Sequence, residues 1–116
     1  MKESIVKDKS KDFALRIIKL YKFLTQTTNN KEYILSKQVL RSGTSIGANI
    51  KEALRGQSRP DFRAKMSIAL KEASETEYWL ELLHESEYID ENSFLSIIND
   101  NREIIKILTK IVKNTE

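Results

Sequence analysis

From Leu40 to Arg55 the chain reads LRSGTSIGANIKEALR, and three residue sets recur through this region at alternating steps of three and four. Val39, Ser42, Ile46, Asn49 and Ala53 form one set; Leu40, Gly43, Gly47, Ile50 and Leu54 form a second. Lys37, Arg41, Thr44, Ala48, Lys51 and Arg55 form the third. Residues spaced in this way lie as stripes along one helix. Two adjacent stripes are apolar or small and the third is basic. A glycine inside a helix costs about 1 kcal/mol relative to alanine, and this helix holds both Gly43 and Gly47. A thin surface that admits a neighbouring backbone explains the tolerance, so the segment reads as the central helix of an all-helical fold.

The rest of the chain repeats the pattern. Phe13, Ile17, Leu20 and Leu24 give a first helix over about 8–27, widened by Ala14, Ile18 and Tyr21. Residues 1–7 read as a frayed basic start. Asn29 followed by Glu32 reads as a capping box opening a second helix over about 31–55. Gly56 is expected to take the left-handed conformation beyond it. Ser58, Pro60 and Asp61 signal a third helix over about 60–85, through cap, free first-turn donor and helix dipole. Its line is Phe62, Met66, Ala69, Ala73, Thr76, Leu80 and Leu83. Ala69 and Ala73 suggest a close approach to the glycines of the second helix. Asp90 or Asn92 opens a fourth helix over about 91–113, with Phe94, Ile97, Asn101, Ile104, Leu108 and Ile111 inward. Short connections favour antiparallel neighbours. The expectation is an all-α, antiparallel up-down-up-down, left-handed four-helix bundle, one domain over residues 1–116.

Composition narrows the chemistry. The 116 residues contain no Cys, which removes disulfides, thiol nucleophiles and cysteine-ligated zinc and fits a reducing cytoplasm. No long uncharged apolar run provides a membrane span, and MKESIVKDKSKDF lacks the apolar core of a secretory signal. Glu81 and His84 stand at i and i+3, a metal-ligating spacing in helical bundles. The single His leaves no second pair within the chain, so no metal or cofactor is expected. A ribonucleolytic Arg–His pair is also missing, since the nearest Arg before His84 is Arg63. No nucleophile elbow or phosphate loop occurs. The expected protein is not an enzyme; the metal-dependent or ribonucleolytic bundle is the least favoured alternative.

Two features point to partners. Residues 1–65 carry fifteen Lys/Arg against six Asp/Glu, whereas residues 66–116 carry five against eleven. This split suits polyanion binding, head-to-tail self-association, or neutralisation inside one bundle. Second, Ile68, Trp79 and Leu82 add an apolar flank to the third helix, either an interface between subunits or a wider core. The basic stripe Lys37, Arg41, Lys51 and Arg55, continued by Arg59 and Arg63, is the expected nucleic-acid surface. With no aromatic interleaving or base-reading motif, it would hold RNA or DNA by the phosphate backbone. Asn49 is expected to be partly buried and to fix helix register through Ser74 or Glu77. A protein-only scaffold is the main alternative.

The run RSGTSIGANIKEA, the Phe62 region and SIALKEASETEYWLELL resemble the four-helix-bundle family of the 23S ribosomal RNA intervening sequences. The resemblance rests on Ser45-Ile46, Asn49-Ile50, Glu52, Ile68-Ala69, Ser74 and Glu77. It extends to the accessory variability-determinant protein of diversity-generating retroelements. It implies a ring-like homopentamer that binds nucleic acid, with a reverse transcriptase as a further partner.

Overall fold

The computed structural model describes residues 2–27 and 31–115, the side chain of Thr27 excepted. They form α1 (Lys2–Lys22), a π-helical turn (Phe23–Thr27), α2 (Leu35–Leu54), α3 (Arg59–Glu85) and α4 (Glu91–Asn114). No strand occurs among the described residues. The helices pack in a closed cycle in which α1 meets α2 and α4, and α3 meets the same two. The molecule measures 48 × 20 × 19 Å. Among the described residues no helix is long and apolar enough to cross a membrane.

The core follows the stripes. Phe13 and Ile17 of α1, Ile46 and Ile50 of α2, Met66, Leu80 and Leu83 of α3, and Ile98, Ile104 and Leu108 of α4 are fully buried. Burying each such side chain contributes about 1.5–3 kcal/mol. Ile18, expected to widen this core, is exposed.

Helix starts differ where a side chain does something its type does not announce. α1 begins six residues before the expected Asp8, because Val6 and Ser10 extend the inward line of Phe13 and Ile17 and are buried. The expected frayed segment is therefore helical from Lys2. α2 begins at Leu35, not Lys31. Its cap is Glu32, whose carboxylate accepts from the amides of Ile34, Leu35 and Ser36 at 2.7–3.1 Å. A negative side chain here also complements the positive helix end. Asn29, the expected cap, lies outside the described residues.

The other caps match their residue types. Ser58 Oγ accepts from Asp61 N at 3.2 Å, and Asp90 accepts from Ser93 N at 2.7 Å. Gly56 departs from expectation: no described glycine has positive φ. Its N–H donates to Ala53 O, and a Cβ there would lie 3.1 Å from that oxygen. Close approach, not handedness, accounts for the glycine. Among the described residues it is Glu87 that is left-handed, φ 67°. It closes α3 with Tyr88 N donating to Leu83 O and Glu87 N to His84 O, the paired bonds of a Schellman ending.

Candidate nucleic-acid interface

The glycines of α2 define how its basic side is presented. An added Cβ at Gly43 would lie 2.8 Å from Ile17 Cγ1, and one at Gly47 would lie 3.3 Å from Ser10 Oγ. Both glycines therefore face α1, which corrects the expected pairing with Ala69 and Ala73 of α3. Ser10 is buried because its small side chain fits this approach; its hydroxyl donates to Lys7 O. Three further polar residues of α2 bond back to their own helix. Thr44 Oγ1 donates to Leu40 O, Ser45 Oγ to Arg41 O, and Asn49 Nδ2 to Ser45 O, at 2.7–2.8 Å. Local bonding of this kind satisfies such side chains within a helix.

Asn49 is half-buried as expected, but it does not reach Ser74 or Glu77. Ser74 is exposed, and Glu77 pairs with Arg102 of α4 at 2.8 Å. The cross-helix polar ties are made elsewhere. Thr76 and Ser42, both fully buried, share a hydrogen bond of 2.8 Å between α3 and α2. Asn101 Nδ2 donates to Ala73 O at 2.9 Å between α4 and α3. Ser42, Thr76 and Asn101 stand on the inward lines of the sequence, and their polarity is the signal that marks them as register-fixing contacts.

The six expected nucleic-acid contacts separate into three groups. Lys37, Lys51 and Arg55 are exposed and make no ion pair among the described residues. Arg41 is engaged by two carboxylates of α3: Nη2 with Glu75 and Nη1 with Glu72 at 3.4 Å. Arg59 and Arg63 do not continue the stripe. Arg59 Nη2 donates to Asn114 O of α4 at 3.2 Å, and half-buried Arg63 lines a shallow depression with Arg59 and Thr115. Both sit on the α4 side of α3, because the helical repeat turns them away from α2.

The face gains cations from α1: Lys7, which falls in the expected frayed start, and Lys11 and Lys22, which fall within the expected first helix. Lys7, Lys11 and Lys22 lie one helical step outward from the line of Ser10 and Ile17 that meets α2. All three are exposed and, among the described residues, without an ion pair. The i, i+4 spacing of Lys7 and Lys11 was their sequence signal. Part of the charge split is consumed internally, since Lys9 pairs with Glu103 at 2.8 Å and Arg16 with Asp100.

The electrostatics are strongest around Arg41. The hydrogen bond it donates to Glu75 pushes the Arg41 guanidinium up, and the same bond holds the Glu75 carboxyl below its ordinary range. Burial pushes the Glu72 carboxyl up. Beside this cluster, the flank residue Ile68 is 42% exposed while Trp79 and Leu82 are half-buried. Trp79 also packs on the core and donates from Nε1 to Glu75 at 3.3 Å. No group of three or more His, Cys, Asp or Glu among the described residues is placed to hold a metal. His84 stacks on Phe94, with ring centroids 4.2 Å apart.

Comparison with known proteins agrees with the sequence pattern. The profile of the 23S rRNA-intervening sequence protein family matches residues 2–110. A crystal structure of a protein of unknown function from the S23 ribosomal protein family of Bacteroides thetaiotaomicron is 60% identical, with a TM-score of 0.93. The match covers 97% of this chain and 99% of that one. No curated protein matches.

Proposed function

This chain belongs to the 23S rRNA-intervening sequence protein family, and on that premise we propose that it is a non-enzymatic, oligomeric protein that holds nucleic-acid backbones on the joint outer face of α1 and α2. One observation carries the reading: Lys7, Lys11, Lys37, Lys51 and Arg55 are exposed there without carboxylate partners among the described residues. Unneutralised cations along rigid helices suit the regular charge of a phosphate backbone. The family name makes ribosomal RNA the first ligand to try. A cytoplasmic location accords with the absence of Cys.

The assembly we propose is an antiparallel up-down-up-down, left-handed bundle, repeated in a homo-oligomer for which the resemblance gives five subunits. Descending contact order supports the antiparallel run: Arg41 meets Glu72 and Glu75, while Glu52 meets Lys65. The near-heptad rhythm of α3 supports the supercoil. Exposed Ile68 supports a subunit contact on α3. Several copies of one basic face on a single particle would add avidity to weak contacts.

Fluorescence anisotropy with random-sequence RNA and DNA, together with light scattering, tests the reading. The particle is expected at several times 13.5 kDa. Binding should weaken with salt, each neutralised phosphate adding about 0.7–0.9 to the magnitude of the log–log slope. Lys51→Glu with Arg55→Glu should weaken binding to every sequence while leaving the fold and particle mass unchanged. Equal binding by wild type and double variant would leave the face without this role. The competing protein-only scaffold predicts no specific loss.

A further inference from the structure

Arg41 is the exception within the basic stripe. It occupies the same helical line as Lys37, Lys51 and Arg55, but both of its terminal nitrogens are occupied by α3 carboxylates. Planar guanidinium groups bind carboxylates and phosphates through the same fork of donors. We propose that Glu72 and Glu75 are an internal substitute for phosphate, withholding Arg41 from a nucleic-acid ligand in an autoinhibitory contact. The inference rests on the nucleic-acid reading above and names how that face is regulated.

The geometry separates a gate from a permanent strut. The Arg41 side chain is 50% exposed, whereas that of Glu72 is only 17% exposed. The carboxylate is set into the seam and the guanidinium stands at its mouth, within reach of a ligand. The Trp79 indole donates at 3.3 Å to the same Glu75 oxygen that Arg41 reaches, which ties that acceptor to its place beside Arg41. Two carboxylates face one guanidinium, and Glu72 and Glu75 lie three residues apart on one helix face. With both ionised, the cluster has an excess negative charge and repels phosphate beside an otherwise basic face. Exposed ion pairs contribute little net stability, so a polyanion anchored by Lys37, Lys51 and Arg55 can displace these carboxylates. The gate lowers affinity without abolishing it.

The test is a binding cycle with a 20-base-pair RNA duplex as probe. Glu72→Gln with Glu75→Gln should bind about three- to tenfold tighter at low salt. Its log–log salt slope should steepen by about 0.9, one extra phosphate contact on a duplex. The gain should vanish when Arg41→Ala is added, whereas Arg41→Ala in the wild type should change affinity less than about twofold. The control Glu81→Gln with Glu85→Gln makes the same net-charge change farther along α3 and should respond little to Arg41→Ala. Should the double variant melt early, Glu75→Gln alone should show the same Arg41-dependent gain at smaller size. A gain that survives Arg41→Ala, or that the control reproduces, would overturn the gate and leave the basic face standing. Failure of wild type and all variants to bind any duplex or single strand would overturn the basic-face reading itself, and the gate with it.

Discussion

The two seams of α2 are built differently. Against α1, α2 presents glycines: Gly43 rests on Ile17 and Gly47 on Ser10, and among the described residues no side-chain hydrogen bond or ion pair joins α1 to α2. Against α3, it presents polar groups: Ser42 to Thr76, Arg41 to Glu72 and Glu75, and Glu52 to Lys65 at 3.0 Å. The first seam depends on shape, the second on paired chemistry. The difference bears on function. Among the described residues, Lys7, Lys11, Lys37 and Lys51 make no ion pair. At the α2–α3 seam, the one cation of the stripe that leans across is neutralised.

The largest effect should come from filling the shape-dependent seam. At Gly43 an added Cβ already lies within 3.3 Å of three atoms near the root of the buried Ile17 side chain. A branched side chain at the root has little freedom to move aside. Gly43→Leu is expected to cost about 3 kcal/mol, the upper end for overpacking. Gly47 is looser, its nearest contact being Ser10 Oγ at 3.3 Å. Gly47→Ala should stay within about 1 kcal/mol of neutral, since helix propensity offsets the crowding. Urea unfolding of both variants measures the contrast. If Gly43→Leu is tolerated as well as Gly47→Ala, α1 and α2 are not held by close approach.

The polar seam should break through loss of one partner. Thr76→Val keeps the volume but strips the fully buried Ser42 hydroxyl of its cross-helix bond. The expected cost is about 1–3 kcal/mol, the penalty for an unsatisfied buried group. Adding Ser42→Ala to that variant should recover part of the loss, because the orphaned group is then removed as well. Additive losses in unfolding experiments would mean that the two hydroxyls do not act as a pair.

This contrast also explains which features were legible in the sequence. The α3 and α4 core lines, and the caps Ser58 and Asp90, follow from local spacing and side-chain type. The glycine stripe was legible as a surface needing room, but a stripe does not say which neighbour fills it; Ile17 and Ser10 do, from another helix. Ser10 counted as polar in the sequence and acts by being small, so the start of α1 was read too late. Asn49 was placed correctly at the edge of the core, yet its amide is satisfied four residues back. Arg41 shares the spacing of the stripe. Its partners are 31 and 34 residues away, at a separation only the packing of α2 on α3 brings together.

The smallest expected effect distinguishes the seams by pH. Arg41's hydrogen bond holds the Glu75 carboxyl below its ordinary value of 4.5, against an opposing effect of burial. The ionised group thus stabilises the fold above pH 4.5, and that contribution is lost as pH falls through the folded value. Glu72 works in the opposite sense. Burial raises its carboxyl above 4.5, so its folded state binds the proton more readily and stability falls as pH rises from 4.5 through the raised value. The two carboxyls partly offset each other in the wild type. Glu75→Gln removes the lowered member, so a gap in melting temperature should be present at neutral pH and close on acidification. For pairs this exposed the gap corresponds to about 0–1 kcal/mol. Gly43→Ala disturbs only packing, and its gap should be the same at neutral and acid pH. Parallel thermal melts of the three proteins between about pH 3 and 7 measure both gaps across the ordinary carboxylate range. A Gly43→Ala gap that closes with acid would reveal a titrating contact in the α1–α2 seam. A Glu75→Gln gap that persists would mean the Arg41 pair does not contribute to holding α2 against α3.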